Sequence, residues 1–235
     1  MKNKILSWFI GFCDAEANFQ TTLYKRLNKE NKIISYGIKY SFHMGLHERD
    51  LPLLEYIREN LNSIGKIYHY SEKKECHLNV NKIEELSWLI KSVFNVYPLL
   101  TKHQSVRFNK IKQGILENIK TIYSLEEYHK HITLIPEVNV SFDSLPSEYL
   151  ENWIVGFLNG EVSFTTRKPT DRKNRSIPLI YLEHTDETVL YLIKNYLNLG
   201  PSILSRQRDL RKKSYILNLS SKKDLLPPFG TGLVL

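Results

Sequence analysis

The stretch LSWFIGFCDAEANF, residues 6–19, recurs later in the chain as NWIVGFLNGEVSF, residues 152–164. Aligned on each other, the two stretches pair residues of the same type: Trp8 with Trp153, Gly11 with Gly156, Phe12 with Phe157, Glu16 with Glu161 and Phe19 with Phe164. An internal repeat of this kind indicates two structural units with a common plan. The repeat therefore predicts a molecule built from two similar halves.

Each copy of the repeat predicts an apolar helix that ends in an acid. Small residues lie one turn apart on one face of each helix, in the pairs Gly11/Ala15 and Gly156/Gly160. Small residues at this spacing let two helix backbones approach closely. Two copies packed through these faces would place Glu16 and Glu161 side by side, where their charges repel unless a proton or a cation intervenes. Because hard divalent cations take oxygen ligands, we expect a Mg²⁺ site on a pseudo-twofold axis.

Residues 9–17 (FIGFCDAEA) and 154–162 (IVGFLNGEV) resemble the nine-position motif of the LAGLIDADG homing endonucleases, in the single-chain form that carries two motifs. The glycine, the small residue and the acid of that motif fall in register in both copies. Ala17 and Val162 stand where the motif ends in glycine. Matching patterns downstream of each copy extend the resemblance over nearly the whole chain.

The resemblance implies an α+β fold, a pseudo-twofold pair of αββαββα halves with the motif helices packed at the centre. Two antiparallel four-stranded sheets would form a DNA-binding saddle. We expect a first half over residues 1–122, an irregular linker over 123–146 and a second half over 147–235. The repeat stops after Lys222–Leu226, with no counterpart of Trp88–Ile119, so we expect the second half to be C-terminally incomplete and the apolar back of its sheet to be exposed.

Composition and turn signals predict the elements of each half. Strands are expected over Phe19–Leu27, Ile33–Leu46, Lys66–Ser71, Glu75–Val80, Ser163–Pro169, Ile177–Glu183 and Tyr215–Leu219. Helices beyond the repeat are expected over Asp50–Asn62, Lys82–Val96, Thr101–Ile119 and Glu187–Asn198.

Strand alternation predicts which side chains share the outward face of each sheet. The polar, basic and aromatic side chains expected there are Gln20, Thr22, Tyr24, Arg26, Lys39, Ser41, His43, Lys66, Tyr68 and Tyr70 in the first half, and Thr165, Arg167, Ser202, Arg206 and Arg208 in the second. Such side chains make phosphate and base-edge contacts with duplex DNA. A solvated sheet face is the alternative.

The resemblance also implies a metal-dependent active site. Glu16 and Glu161, helped by the backbone carbonyls of Ala15 and Gly160, would hold two or three Mg²⁺ ions shared between the paired acids. Lys102, which follows YPLLT at residues 97–101, stands where the family often places a basic residue that points at the scissile phosphates. Such a group can stabilise the transition state or assist proton transfer. A surface lysine at a helix entry is the alternative.

Two histidines complete the expected site. His103 stands where a second lysine is common in the family. His184 lies two residues before the helix-opening Asp186, which makes Glu48 its expected counterpart, and the family tends to keep a water-ordering polar residue there. A solvated histidine at a strand end is the alternative for His184.

Composition favours a soluble protein with a polyanionic partner, without naming that partner. The 235 residues carry a net charge of +8, which favours a polyanionic partner, and 42% of them are hydrophobic, as in ordinary globular proteins. Cys13 and Cys76 lack a metal-binding spacing, and Cys13 is expected to be a buried free thiol. No stretch reaches the roughly 20 apolar residues of a membrane span.

The resemblance implies a site-specific homing endonuclease that cleaves both strands of a long duplex DNA target by Mg²⁺-dependent hydrolysis. A maturase that binds its own group I intron RNA, or a degenerate DNA-binding protein without cleavage, are the alternatives. We expect a monomer with double-stranded DNA as its partner and no membrane association. The resemblance alone places it among intron-encoded proteins of mitochondria.

Overall fold

The computed structural model describes residues 2–133, 142–168, 176–208 and 212–221. Its α-helices are α1 (Lys2–Glu16), α2 (Leu51–Asn60), α3 (Ile83–Leu89), α4 (Lys102–Leu116), α5 (Leu125–Thr133), α6 (Ser147–Glu161) and α7 (Glu187–Tyr196). Its strands are β1 (Ala17–Leu27), β2 (Ile33–His47), β3 (Lys66–Tyr70), β4 (Glu75–Val80), β5 (Thr121–Ile122), β6 (Val162–Arg167), β7 (Ile177–His184), β8 (Leu204–Arg206) and β9 (Ser214–Leu219). A π-helical turn, Ile90–Phe94, continues α3.

Helices α1 and α6, which carry the two copies of the repeat, pack directly against each other at the centre of the molecule. A Cβ atom on Gly11 would overlap the carbonyl oxygen of Trp153, and one on Gly156 would overlap that of Trp8. Only glycine allows the two backbones to approach this closely. The predicted packing through small residues is confirmed.

The two halves form sheets with the same strand order. The first sheet runs β1-β2-β4-β3 and the second β6-β7-β9-β8, and every pairing is antiparallel. The first sheet has a fifth strand that the sequence did not predict, because the short β5 pairs with β2 at Tyr36 and Gly37. Apart from β5, the predicted pair of four-stranded sheets is confirmed.

The backs of the two sheets differ in how they are covered. Phe19 on β1 is 5% exposed and packs against Phe94 and Phe108, with ring centroids 5.3 and 5.5 Å away. Phe164, its counterpart on β6, is 65% exposed. The segment Lys222–Leu226, where the sequence repeat stops, lies outside the described residues.

Two local expectations were wrong. The segment after residue 122, expected to be an irregular linker, contains the helix α5. His184 pairs with Tyr215 and Leu46 pairs with Cys76, the residue aligned with Tyr215, so the counterpart of His184 is Leu46 and not Glu48. Counting back from the helix-opening aspartate failed because a 3₁₀ turn, Glu48–Asp50, follows β2 and has no equivalent after β7.

The remaining expectations concern the buried thiol and the membrane. Cys13 and Cys76 are free and buried, as expected of Cys13. Across the described residues, no helix combines the length and the apolar character that crossing a membrane requires.

Candidate active site and nucleic-acid interface

The two acids of the repeat meet where the central helices end. Glu16 ends α1 and Glu161 ends α6, and each directly precedes the first strand of its sheet. Both residues are half-buried. A Cβ atom built on Gly160 would lie 3.3 Å from Oε1 of Glu16, so the first acid reaches the residue beside the second.

The surroundings of both acids disfavour their charged forms. Burial, followed by the charge of Glu16, raises the pKa of Glu161 to about 7. Burial and then the charge of Asp50 raise the pKa of Glu16. Two carboxylates in this condition are stabilised by a positive charge placed between them.

A hard divalent cation fits this donor set. No group of three or more His, Cys, Asp or Glu side chains among the described residues is placed to hold a metal ion. The protein ligands would therefore be the two carboxylates and nearby backbone oxygens. Mg²⁺ suits such a site because it is usually bound through one or two carboxylates and keeps several positions for water and phosphate.

An open cleft of about 400 Å³ adjoins the second acid. Its lining residues are His103, Glu161, Glu183, His184, Thr185, Arg208, Lys212 and Ser214. The structure thus brings together four predicted site residues that lie far apart in the sequence: His103, Glu161, His184 and Arg208. Glu183, Thr185, Lys212 and Ser214 were missed, because no motif marks them.

Both cleft histidines are held in the neutral form. Burial, followed by the electrostatic effects of the neighbouring His184 and Arg107, lowers the pKa of His103 to about 4. Burial also lowers the pKa of His184, whose ring centroid lies 5.6 Å from that of His103. His184 accepts a 3.0 Å hydrogen bond at Nδ1 from the backbone N–H of Asp186, whereas Nδ1 of His103 is buried with no hydrogen-bond partner among the described residues. His103 therefore does not supply the fixed charge of the lysine it replaces.

Lys102 is exposed at the first position of α4, and two aspartates fix that position. Asp186, from the second half, accepts a 2.8 Å hydrogen bond from the backbone N–H of Lys102. Asp14, from the first motif helix, accepts bonds of 2.8 and 3.0 Å from the backbone N–H groups of Leu100 and Thr101. These contacts anchor the helix start to both halves of the molecule.

The outward face of β1 and β2 contains the predicted side chains in register. Gln20 pairs with Ser41 and Thr22 pairs with Lys39, so all four share one face. The ring of Tyr24 lies over Gly37, and Arg26 donates to the Tyr24 hydroxyl at 3.3 Å. His43 lies on the same face and is half-buried. Ser41 is only 9% exposed, which makes it the least accessible of the set.

The outward face of β3 and β4 contains residues that the sequence analysis missed. Lys66, Tyr68 and Tyr70 are exposed as predicted. Opposite them, β4 presents Glu75, His77 and Asn79, which pair with Tyr70, Tyr68 and Lys66 respectively. His77 lies 3.1 Å from His43 between ring nitrogens and 3.2 Å from the Glu75 carboxylate. The alternation of apolar and polar residues in ECHLNV was the signal that identifies them.

The second sheet presents its predicted residues less uniformly. Thr165 and Arg167 are exposed on β6. Ser202 is exposed but precedes β8, Arg206 lies in β8 and Arg208 follows it. The faces agree with the prediction, and contact of these residues with DNA stays a prediction.

Comparison with known proteins bears on this architecture. Residues 9–115 match the LAGLIDADG endonuclease family. The resemblance to LAGLIDADG endonucleases is confirmed. The chain also superposes on two LAGLIDADG proteins solved with DNA, the meganuclease I-CpaMI (TM-score 0.69, 22% identity, 95% of this chain and 83% of that one) and the homing endonuclease I-GzeII (TM-score 0.69, 23% identity, 95% and 82%). At these identities the likeness establishes the LAGLIDADG fold.

Two fungal relatives share sequence with the chain. A probable intron-encoded endonuclease of Neurospora crassa is 28% identical over 180 residues, which cover 68% of this chain and 33% of that protein. An uncharacterized mitochondrial protein of Saccharomyces cerevisiae is 28% identical over 170 residues, which cover 68% and 32%. The chain thus spans about a third of the length of these relatives.

The LAGLIDADG motif residue two before each acid has a packing role here. Asp14 accepts a 2.9 Å hydrogen bond from the indole of Trp153, and Asn159 accepts one of 2.8 Å from the indole of Trp8. The two motif helices therefore exchange equivalent bonds across the pseudo-twofold axis. Asp14 additionally binds the start of α4, which is the task that distinguishes it from Asn159.

Proposed function

We propose that this chain is a site-specific homing endonuclease that cleaves both strands of a long duplex DNA target by Mg²⁺-dependent phosphodiester hydrolysis. One observation carries the proposal: Glu16 and Glu161 meet at the end of the α1–α6 pair, directly before the first strand of each sheet. Both acids have raised pKa values. The name of the Neurospora crassa relative, a probable intron-encoded endonuclease, and the DNA-bound LAGLIDADG structures support it.

The cation would be held by Glu16 and Glu161 together with the backbone carbonyls of Ala15 and Gly160, and two or three ions would be shared by the paired acids. The structure of the meganuclease I-SmaMI bound to uncleaved DNA in the presence of calcium ions supports a divalent requirement. When bound, Mg²⁺ supplies Lewis-acid and charge-neutralising chemistry for phosphodiester hydrolysis. The protein contributes two acids whose repulsion makes cation binding favourable.

The remaining site residues would stabilise negative charge, transfer a proton or line the cleft. Lys102, at the fixed start of α4, supplies a permanent positive charge for the developing negative charge on the phosphate. His103, which is neutral at pH 7 because burial lowers its pKa to about 4, would assist proton transfer and not supply a fixed charge. His184 accepts a hydrogen bond at Nδ1 from the N–H of Asp186, which fixes the orientation of its ring on the other side of the cleft.

The DNA would lie across the outward faces of both sheets. β-Ribbons fit the major groove, and the exposed Gln, Thr, Tyr, Lys and Arg side chains on these faces supply base and phosphate contacts. The net charge of +8 favours the duplex and predicts a steep dependence of affinity on salt. Because α1 and α6 pack against each other within one chain, the protein acts as a monomer. The mitochondrial relative supports a mitochondrial location.

Cleavage of a duplex that joins the two exons flanking the encoding intron tests this function. In Mg²⁺ we expect both strands to be cut at one site, and in Ca²⁺ we expect binding without cutting. Binding without cutting in Mg²⁺ would contradict the proposal and favour a DNA-binding protein without activity. A splicing assay on the intron RNA would then test the maturase alternative.

A further inference from the structure

A carboxylate lies among the arginines predicted to contact DNA on the second sheet. Oε2 of Glu183, on β7, accepts a 2.8 Å hydrogen bond from Nη2 of Arg208 and lies 3.9 Å from Nη1 of Arg206. The hydroxyl of Tyr181 donates to the same oxygen, and Oγ of Ser214 donates to Oε1 at 2.5 Å. Five residues from three strands and their flanks thus form one hydrogen-bonded network.

The network leaves the arginines accessible while it satisfies the acid. The side chain of Glu183 is 21% exposed, whereas those of Arg206 and Arg208 are 47% and 40% exposed. Hydrogen bonds from Ser214 and Tyr181, and then the charges of Arg208 and Arg206, lower the pKa of Glu183. The acid is therefore ionised at neutral pH and offsets one of the two positive charges beside it.

The first sheet has no such arrangement at the equivalent position. Met44 pairs with Ala17 and Leu182 pairs with Val162, so Gly45 is the counterpart of Glu183. The space above Gly45 is occupied by the rings of His43 and His77, 3.2 and 3.4 Å from a Cβ built there. Of these two equivalent positions, only the one in the second sheet holds an acid.

A carboxylate held between guanidinium groups has two effects on a DNA-binding face. It fixes the direction in which the outer N–H groups of the arginines point, which reduces the entropy lost when they bind acceptors. It also competes with any phosphate that approaches the arginines from an unsuitable direction, because displacing it leaves an unpaired charge.

We propose that Glu183 is a specificity-determining residue. It holds Arg206 and Arg208 in one arrangement, so that they bind acceptor groups in one register of the target and bind phosphates of other sequences weakly. This inference depends on the proposed use of the second sheet as a DNA-binding face.

The variant Glu183→Gln tests the inference in the full-length chain. Its affinity for a mixed-sequence duplex is measured by fluorescence anisotropy over a series of salt concentrations. We expect several-fold tighter binding, and a slope of log K against log salt that is steeper by about 0.9 to 1.8, as one or two released arginines neutralise additional phosphates. Affinity for the exon-junction duplex should rise less, so that the ratio of specific to non-specific affinity falls.

The matched control is Glu84→Gln, which removes an exposed acid from the helix α3, outside the two outward strand faces. This variant should leave the salt slope unchanged. An unchanged slope and affinity in Glu183→Gln, or the same change in both variants, would overturn the inference. If Glu183→Gln fails to fold, Glu183→Asp withdraws the carboxylate by one methylene, and unchanged mixed-sequence binding by this variant would overturn it equally.

The mixed-sequence measurement separates this inference from the endonuclease activity. It requires neither cleavage nor a known target. If the exon-junction duplex is never cut, the proposed function fails, and the salt slope of Glu183→Gln still decides whether the acid restrains the arginines.

Discussion

The indole N–H of Trp153 donates a hydrogen bond of 2.9 Å to the fully buried carboxylate of Asp14. The same carboxylate accepts bonds from the backbone N–H groups of Leu100 and Thr101 and from the Thr101 hydroxyl at 2.5 Å. Burial raises the pKa of Asp14 to about 7 against the opposing effect of these hydrogen bonds. One side chain thus joins both central helices to Leu100 and Thr101, the residues that lead into α4.

Replacing Asp14 by asparagine should destabilise the fold. An amide offers one acceptor oxygen, and its NH₂ group would face donors, so buried N–H groups would lose their partner at a cost of about 1–3 kcal/mol each. Urea denaturation measures the change in free energy of unfolding. Asn159→Ala, which removes the single equivalent bond to Trp8, should cost about 1 kcal/mol. Equal effects of the two variants would contradict the anchoring role of Asp14.

Replacing Gly11 by alanine should separate the central helices. The added methyl group would overlap the Trp153 backbone, which cannot move away as a side-chain end can. We expect a loss of about 3 kcal/mol or more, at the upper end of overpacking effects, measured by chemical denaturation. Gly45→Ala is the control, because its methyl group would meet only histidine side-chain atoms at 3.2 Å or more. A Gly11→Ala protein as stable as the control would contradict the predicted close approach.

The raised pKa of Glu161 predicts how stability depends on pH. Because the folded state binds this proton more tightly than the unfolded state, whose glutamate pKa is about 4.3, the wild-type protein should lose stability relative to Glu161→Gln as pH rises from about 4 to about 7. Thermal denaturation of both proteins without divalent ions measures the difference. Added Mg²⁺ or Ca²⁺ should reduce the loss at pH 8. A difference between the two proteins that is the same at pH 5 and pH 8 would contradict the prediction.

Removing the charge of Lys102 should slow cleavage without weakening binding to the same extent. We expect Lys102→Met to lower kcat by about 10²-fold, as for the loss of a group that stabilises transition-state charge, with a small change in the affinity measured in Ca²⁺. Lys112→Met, on the same helix, is the control and should cleave at the wild-type rate. A Lys102→Met enzyme with unchanged kcat would make the lysine a surface residue at a helix entry.

The fold was predictable because its decisive constraints are local and periodic. The spacing of Gly11 and Gly156 within the repeat encodes the helix contact, and the two-residue alternation of β1, β2 and β3 encodes the sheet faces. Elements that depend on distant pairing were not predictable in this way. The strand β5 is two residues long and exists through its pairing with β2, and α5 falls in the stretch that was expected to be an irregular linker.

The candidate site was predictable in its acids and less so in its surroundings. Glu16 and Glu161 are marked by the repeat, whereas the network of Glu183 with Arg206 and Arg208 arises from the register of β7, β9 and β8. The outward residue His77 was identifiable from the alternation in β4. The neutral state of His103 follows from burial, which the sequence does not display.

Cleavage of the exon-junction duplex by Glu16→Gln and Glu161→Gln in Mg²⁺ tests the central claim most directly. Glutamine keeps the shape of each side chain and removes the charge that holds the cation. Each variant should therefore bind the duplex in Ca²⁺ and cut both strands more slowly than the wild type in Mg²⁺. Glu148→Gln, at the opposite end of α6, is the control and should cut both strands. Normal double-strand cleavage by either motif variant would contradict the paired-acid site.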